Sequence, residues 1–158
     1  MLLIYDKTNG NIVLAYSGYA NTPDIIYQSI PNLVDSTNSV LMADNPEVLK
    51  RSKEYRVTMD LPNKKLNCFL KPFVTMSLEK SSIFSGGIDS TKLTVMVSET
   101  LPWEEILFIE VLFNNQPYSV ELVNGKAEIP ITSTTPGEIK IGLNDKLYRY
   151  TPITLEVQ

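Results

Sequence analysis

The sequence predicts a mainly β chain: a small N-terminal β-hairpin module with a short helix, then a β-sandwich. Three observations predict it. From Leu93 to Val157 apolar and polar residues alternate. Leu93, Val95 and Val97 repeat at every second position, as do Tyr118, Val120 and Leu122, then Ala127, Ile129 and Ile131, Ile139 and Ile141, and Ile153, Leu155 and Val157. Thr94, Glu121, Glu128, Lys140, Thr154 and Glu156 fall between them. A period of two buries one face of a strand and wets the other. The runs are short and split by turn residues, which is the pattern of a sandwich. Finally, 43% of the 158 residues are hydrophobic, enough for a core without disulfides.

Residues 2–6 and 11–16 read as a hairpin through Lys7-Thr8-Asn9-Gly10, because Asn-Gly accepts the positive φ of a tight turn. Gly18 to Pro31 reads as loop with a strand near Ile25–Ser29, and Asp35 to Asn38 as a turn cluster. A short helix follows. Asn45 can cap it, Pro46 fits its first position and Glu47 its first turn, while Lys50, Arg51 and Lys53 oppose the dipole at its end. Tyr55, Val57 and Met59 then alternate, Leu61 to Lys65 turns, and Leu66, Cys68 and Leu70 return. A domain boundary is expected near Lys71-Pro72, giving residues 1–72 and 73–158.

In the second half, strands are expected at Phe73–Leu78, Leu93–Val97, Ile106–Phe113, Pro117–Val123, Lys126–Thr132, Glu138–Leu143 and Thr151–Val157. Ile83 precedes a Ser85-Gly86-Gly87 loop, and Leu101–Glu105 reads as a turn. Asn124-Gly125 predicts a hairpin between Pro117–Val123 and Lys126–Thr132.

Charge divides the chain. Residues 1–72 carry 8 Lys+Arg against 7 Asp+Glu, a net of +1, and residues 73–158 carry 6 against 11, a net of −5, which sum to the −4 of the whole. An acidic half is poorly suited to gripping phosphates. Lys50, Arg51, Lys53, Arg56, Lys64, Lys65 and Lys71 cluster in the first half, but nearby carboxylates dilute them, and they read as a solvated helix end and hairpin tips; nucleic acid is not expected as a partner. The opening Leu2-Leu3-Ile4 run is too short for an export signal or a membrane span, so synthesis in a cytoplasm without membrane insertion is expected.

The chain has no histidine, which removes the commonest general base and metal ligand. Cys68 is the only cysteine and is expected to be a buried, inert thiol. Asp60, Asp89 and Asp145 sit at turns, where Asp bonds the local backbone. Glu104 and Glu105 are adjacent and point apart, Ser85 and Ser90 lack a histidine, and Gly86-Gly87 lacks the lysine and helix of a phosphate loop. No enzyme activity, cofactor or metal is expected.

One strand departs from the wet-outside rule. In Ile106–Phe113, Leu107, Ile109, Val111 and Phe113 share one face, while Ile106, Phe108 and Leu112 share the other with Glu110. Both faces are apolar, so either the first half of the chain or a partner is expected to cover the outer one. Ile106, Phe108 and Leu112 are therefore candidate interface residues. Tyr19, Tyr27 and Trp103 join them, because aromatics with a polar tip suit interfaces and sugar stacking.

The second half resembles the bacterial Ig-like domains of surface and phage virion proteins. The resemblance is carried by Ser85-Gly86-Gly87-Ile88-Asp89-Ser90-Thr91 before a strand, Val123-Asn124-Gly125-Lys126-Ala127 at a hairpin, Thr135-Pro136-Gly137 before the next strand, and a last strand ending Leu155-Glu156-Val157. It covers roughly 80 residues and lacks the antibody inter-sheet disulfide, and Trp103 precedes the central strand. It implies a Greek-key sandwich used for adhesion or spacing. The opening Leu3-Ile4-Tyr5-Asp6-Lys7-Thr8-Asn9-Gly10 and the Tyr55–Leu70 hairpin look like N-terminal modules of phage tail and baseplate proteins. The resemblance implies a non-enzymatic virion component of a tail, baseplate or head fibre, homo-oligomeric or docked to other virion proteins. The alternative is a module binding a host-surface glycan or receptor.

Overall fold

A computed structural model of the chain describes residues 1–17 and 37–158. It is mainly β and separates into two compact units, Met1–Lys71 and Pro72–Gln158.

The first unit is built on a strand buried on both faces. β1 (Leu2–Asp6) lies between β2 (Ile12–Tyr16) and β3 (Asn38–Met42), antiparallel to each. Asp6 closes the β1–β2 turn by accepting from the Thr8 amide at 2.7 Å and Asn9 Nδ2 at 2.9 Å, which holds its carboxyl below the usual carboxylate range. Gly10 (φ 73°) then packs on the next hairpin so closely that a Cβ there would fall 2.1 Å from the Val57 carbonyl oxygen. β3 is an element the sequence reading missed, although Val40-Leu41-Met42 is an apolar run. The expected strand at Ile25–Ser29 lies outside the described residues.

The expected helix is α1 (Glu47–Lys50), with Asn45 Oδ1 accepting from the Glu47 amide at 3.1 Å. A 3-10 turn, Ser52–Glu54, leads into β4 (Tyr55–Asp60), which pairs with β5 (Lys65–Leu70). The register sets Tyr55 against Leu70, Val57 against Cys68 and Met59 against Leu66, so the apolar residues share one face. Leu3, Tyr5, Val48, Tyr55, Val57 and Cys68 form the core. Burial pushes the Cys68 thiol up to about 11, which keeps it protonated and inert at neutral pH.

The second unit is two sheets over one core. One has the order β11-β8-β6, from β6 (Phe73–Leu78), β8 (Ser90–Glu99) and β11 (Lys126–Thr132). The other has the order β10-β9-β12-β13-β7, from β7 (Ser82–Ile83), β9 (Phe108–Phe113), β10 (Gln116–Glu121), β12 (Gly137–Leu143) and β13 (Ile153–Val157). Pairing is antiparallel except between β13 and β7. Leu93, Val95, Ile129 and Ile131 from one sheet meet Ile109, Val111, Ile141, Leu143 and Leu155 from the other. Each comes from a period-two run, so alternation selects the buried set.

The Asn124-Gly125 turn corrects one expectation. Both residues have positive φ (53° and 74°), and Val123 and Lys126 bond each other across the turn. The pairing stops there, because β10 joins β9 and β11 joins β8. The turn carries the chain from one sheet to the other, letting Leu122 and Ala127 enter the same core from opposite sides. The two-residue hairpin is instead Asn114-Asn115, both at positive φ, joining β9 to β10. Asn tolerates that conformation without Gly, a signal the sequence reading passed over.

Candidate interaction surface

Each sheet of the second unit has one face turned away from the core. On the three-stranded sheet this face is polar. Thr75, Ser77, Thr94 and Ser98 line it, with Met96 among them. Glu128 binds Lys126 Nζ at 2.7 Å and Lys92 Nζ at 3.0 Å. The two ammonium groups hold its carboxyl down to about 2. The charges on this face satisfy one another.

The outer face of the five-stranded sheet is different. The register places Phe108, Glu110 and Leu112 of β9 on it, with Glu121 directly across from Phe108 and Ser119 across from Glu110. Glu138 and Glu156 face each other farther along, beside Lys140. Among the described residues none of these four glutamates makes an ion pair. Phe108 is 59% exposed, and Glu110 and Glu121 flank it.

The chain covers part of this face itself. Gly142 lies across from Leu112, and a Cβ on it would stand 3.2 Å from Tyr150 Oη and 3.3 Å from its ring. The missing side chain makes room for the tyrosine over β12. Leu112 is accordingly half-buried while Phe108 stays exposed.

The remaining candidates fall apart spatially and in burial. Ile106 precedes β9 and packs against the core, so it does not extend the Phe108 stripe as the eight-residue strand predicts. Leu107, expected to face inward, is exposed at the strand's mouth. Trp103 is half-buried in the turn before β9. Tyr19 and Tyr27 lie outside the described residues.

One edge strand of each sheet, β11 and β10, is a poor template for pairing. Val97 donates to Gly125 and Leu122 donates to Leu107, so the ladder bonds fall on alternate pairs from there. That phase puts the nitrogens of Pro130 in β11 and Pro117 in β10 on the side away from the neighbouring strand. A proline there loses no ladder bond and removes an outward donor from each edge. Both prolines are visible in the sequence and were an unused signal for edge strands.

A loop at one end of the unit displays further apolar surface. Asp89 accepts from the Phe84 amide at 3.0 Å, the Ser90 amide at 2.9 Å and Lys80 Nζ at 2.8 Å. The Lys80 contact leads in holding its carboxyl below the usual range. The bonds fix the loop with Ile88 95% exposed. Asp60 acts similarly in its turn, accepting from the Asn63 amide and Nδ2 at 3.2 and 3.0 Å.

Among the described residues no group of three His, Cys, Asp or Glu is placed to hold a metal ion, and no helix is long and apolar enough to cross a membrane. No protein-family model matches the chain, and no curated protein matches it.

Proposed function

We propose that this chain is a non-enzymatic assembly protein, a component of a phage tail, baseplate or fibre, that works by docking other proteins on the outer face of its five-stranded sheet. The observation that carries the docking reading is Phe108, which stands in water between Glu110 and Glu121 on a sheet whose β10 edge carries Pro117. Burying a phenylalanine is worth about 1.5–3 kcal/mol, so a partner that covers this face gains from it. The virion assignment rests on the resemblance of both halves to phage modules.

The second unit reads as an Ig-like module. With β6, β8, β9, β10, β11, β12 and β13 lettered A, B, C, C′, E, F and G, the orders E-B-A and C′-C-F-G support that reading. A strand D is not among the described elements.

Light scattering on a sizing column across a concentration series tests the docking. The wild-type chain is expected to form a defined oligomer, and Phe108→Asp to disperse it while the circular dichroism spectrum stays that of the folded chain. An unchanged mass distribution for Phe108→Asp overturns the reading.

A further inference from the structure

The core of the second unit opens to water along one side. Tyr118 lies across from Val111 on the core-facing side of the β9–β10 pair, yet Val111 is fully buried and Tyr118 is 56% exposed. β11 is the last strand of the opposite sheet on that side, and among the described residues no further strand of that sheet closes over Tyr118. This leaves a cleft of about 440 Å³ between the sheets, a volume typical of small-molecule sites. Ile129, Ile131 and Ile139 give it an apolar wall. Phe113 and Tyr118 give it an aromatic one, with ring centroids 6.3 Å apart and planes at 73°, an edge-to-face contact that sets the tyrosine ring in advance. The polar groups at the cleft are neutral. Asn114 Oδ1 accepts from the Lys140 amide at 2.8 Å, and Nδ2 donates to the Glu138 carbonyl at 3.5 Å with one N–H left over. The hydroxyls of Tyr118 and Thr132 have no hydrogen-bond partner among the described residues.

This lining selects its occupant by chemistry. Among the described residues no acid or base borders the cleft, so a charged ligand would lose its hydration without gaining a counter-ion. A sugar would turn several hydroxyls against three isoleucines, and a buried hydroxyl without a partner is costly too. An added β-strand needs an unbroken ladder along β11, where Pro130 offers no outward N–H. An uncharged ring with an apolar body and one or two polar substituents meets none of these costs. The geometry points to this cleft as a binding site for a small neutral aromatic molecule of the phenol class. Its ring packs between the isoleucines and the Phe113–Tyr118 pair, and its hydroxyl bonds the Asn114 amide or the Thr132 hydroxyl. The cleft lies on the side of β9 opposite Phe108, so the inference does not depend on docking at the outer face.

Titration of the full chain with para-cresol, read in methyl and aromatic proton–carbon spectra, tests this. The methyl signals of Ile129, Ile131 and Ile139 and the ring signals of Tyr118 are expected to shift along one saturable curve. Tyr118→Ala is expected to weaken binding about tenfold. Thr132→Trp, which fills the mouth of the cleft from an exposed position, is expected to abolish it, and circular dichroism should show both variants folded. Benzoate and methyl glucoside are expected to leave the same signals in place. Phe108→Asp should bind para-cresol as the wild-type chain does, which separates the cleft from the docking face. Shifts that never saturate, binding unchanged in either cleft variant, or an equal response to benzoate or to the glucoside overturn the assignment.

Discussion

The two outer faces of the second unit rest on one core yet end in opposite states. On the three-stranded sheet, Glu128 holds Lys92 and Lys126, and threonine and serine hydroxyls fill the positions between. On the five-stranded sheet, four glutamates make no ion pair among the described residues and Phe108 stands exposed among them. Both faces come from strands with the same inward alternation, so the inward pattern does not account for the difference. Interior residues answer to the core; outward residues answer to water or to a partner. A face whose charged groups are paired with one another has less to offer a partner than one that leaves carboxylates and a ring unpaired.

Substitutions at four depths, from the shared core to the surface, test the difference between the faces. The largest effect comes from the core that both faces share. Leu155 is fully buried beneath β13, and Leu155→Ala is expected to destabilise the second unit by about 2–5 kcal/mol. Urea unfolding should show this loss, and a wild-type midpoint would mean that the two sheets do not share one core. Next is the self-covered part of the acidic face. Gly142→Val pushes a branched side chain into the space of the Tyr150 ring, at an expected cost of about 1–3 kcal/mol. Proton spectra should show the Tyr150 ring signals displaced; undisturbed signals would mean that the ring does not lie there.

A smaller effect belongs to the polar face. The folded value of Glu128, about 2, lies below its ordinary 4.5. A lowered carboxylate adds stability that is fully present above the ordinary value and is lost as pH falls toward the folded one. The contribution should therefore fade between pH 4.5 and about 2, and it should be modest because the triad is exposed. Carbon-detected titration of the Glu128 carboxyl reads the folded value directly, and Glu128→Gln should remove this part of the acid dependence. A midpoint near 4.5 would dissolve the ion triad.

The smallest effect on folding separates the faces most sharply. Met96 is 44% exposed on the polar face and Phe108 59% exposed on the acidic one. At concentrations low enough to disperse the wild-type chain, Met96→Asp and Phe108→Asp should each shift unfolding by no more than about 0.5 kcal/mol. Only Phe108→Asp should alter the assembly state. Equal behaviour in light scattering would erase the distinction between the two faces.

Much of this fold is legible in the residues. Leu93 with Val95, Ile129 with Ile131, and Leu155 with Val157 are buried as their alternation requires, and the Tyr55–Leu70 hairpin pairs in the register its apolar positions dictate. The candidate surface was less legible. Phe108 stands on the outer face as the period predicts, but Ile106 turns into the core because β9 begins only at Phe108. The cover over β12 could not be anticipated, since Tyr150 reaches Gly142 from beyond a turn.

For β8, β11, β12 and β13 the residues alone select which side of the strand is buried, and Asn and Gly mark where the chain turns. Those properties are local: side-chain direction alternates along an extended backbone, and positive φ selects Asn and Gly. Only the tertiary structure decided which strands pair, and so that Asn124-Gly125 passes between sheets while Asn114-Asn115 joins neighbours within one. Backbone donors and acceptors are the same in every strand and carry no address. The partners are chosen when the apolar faces of both sheets must close over a single core, and that choice also leaves Phe108 at the surface with Glu110 and Glu121 beside it.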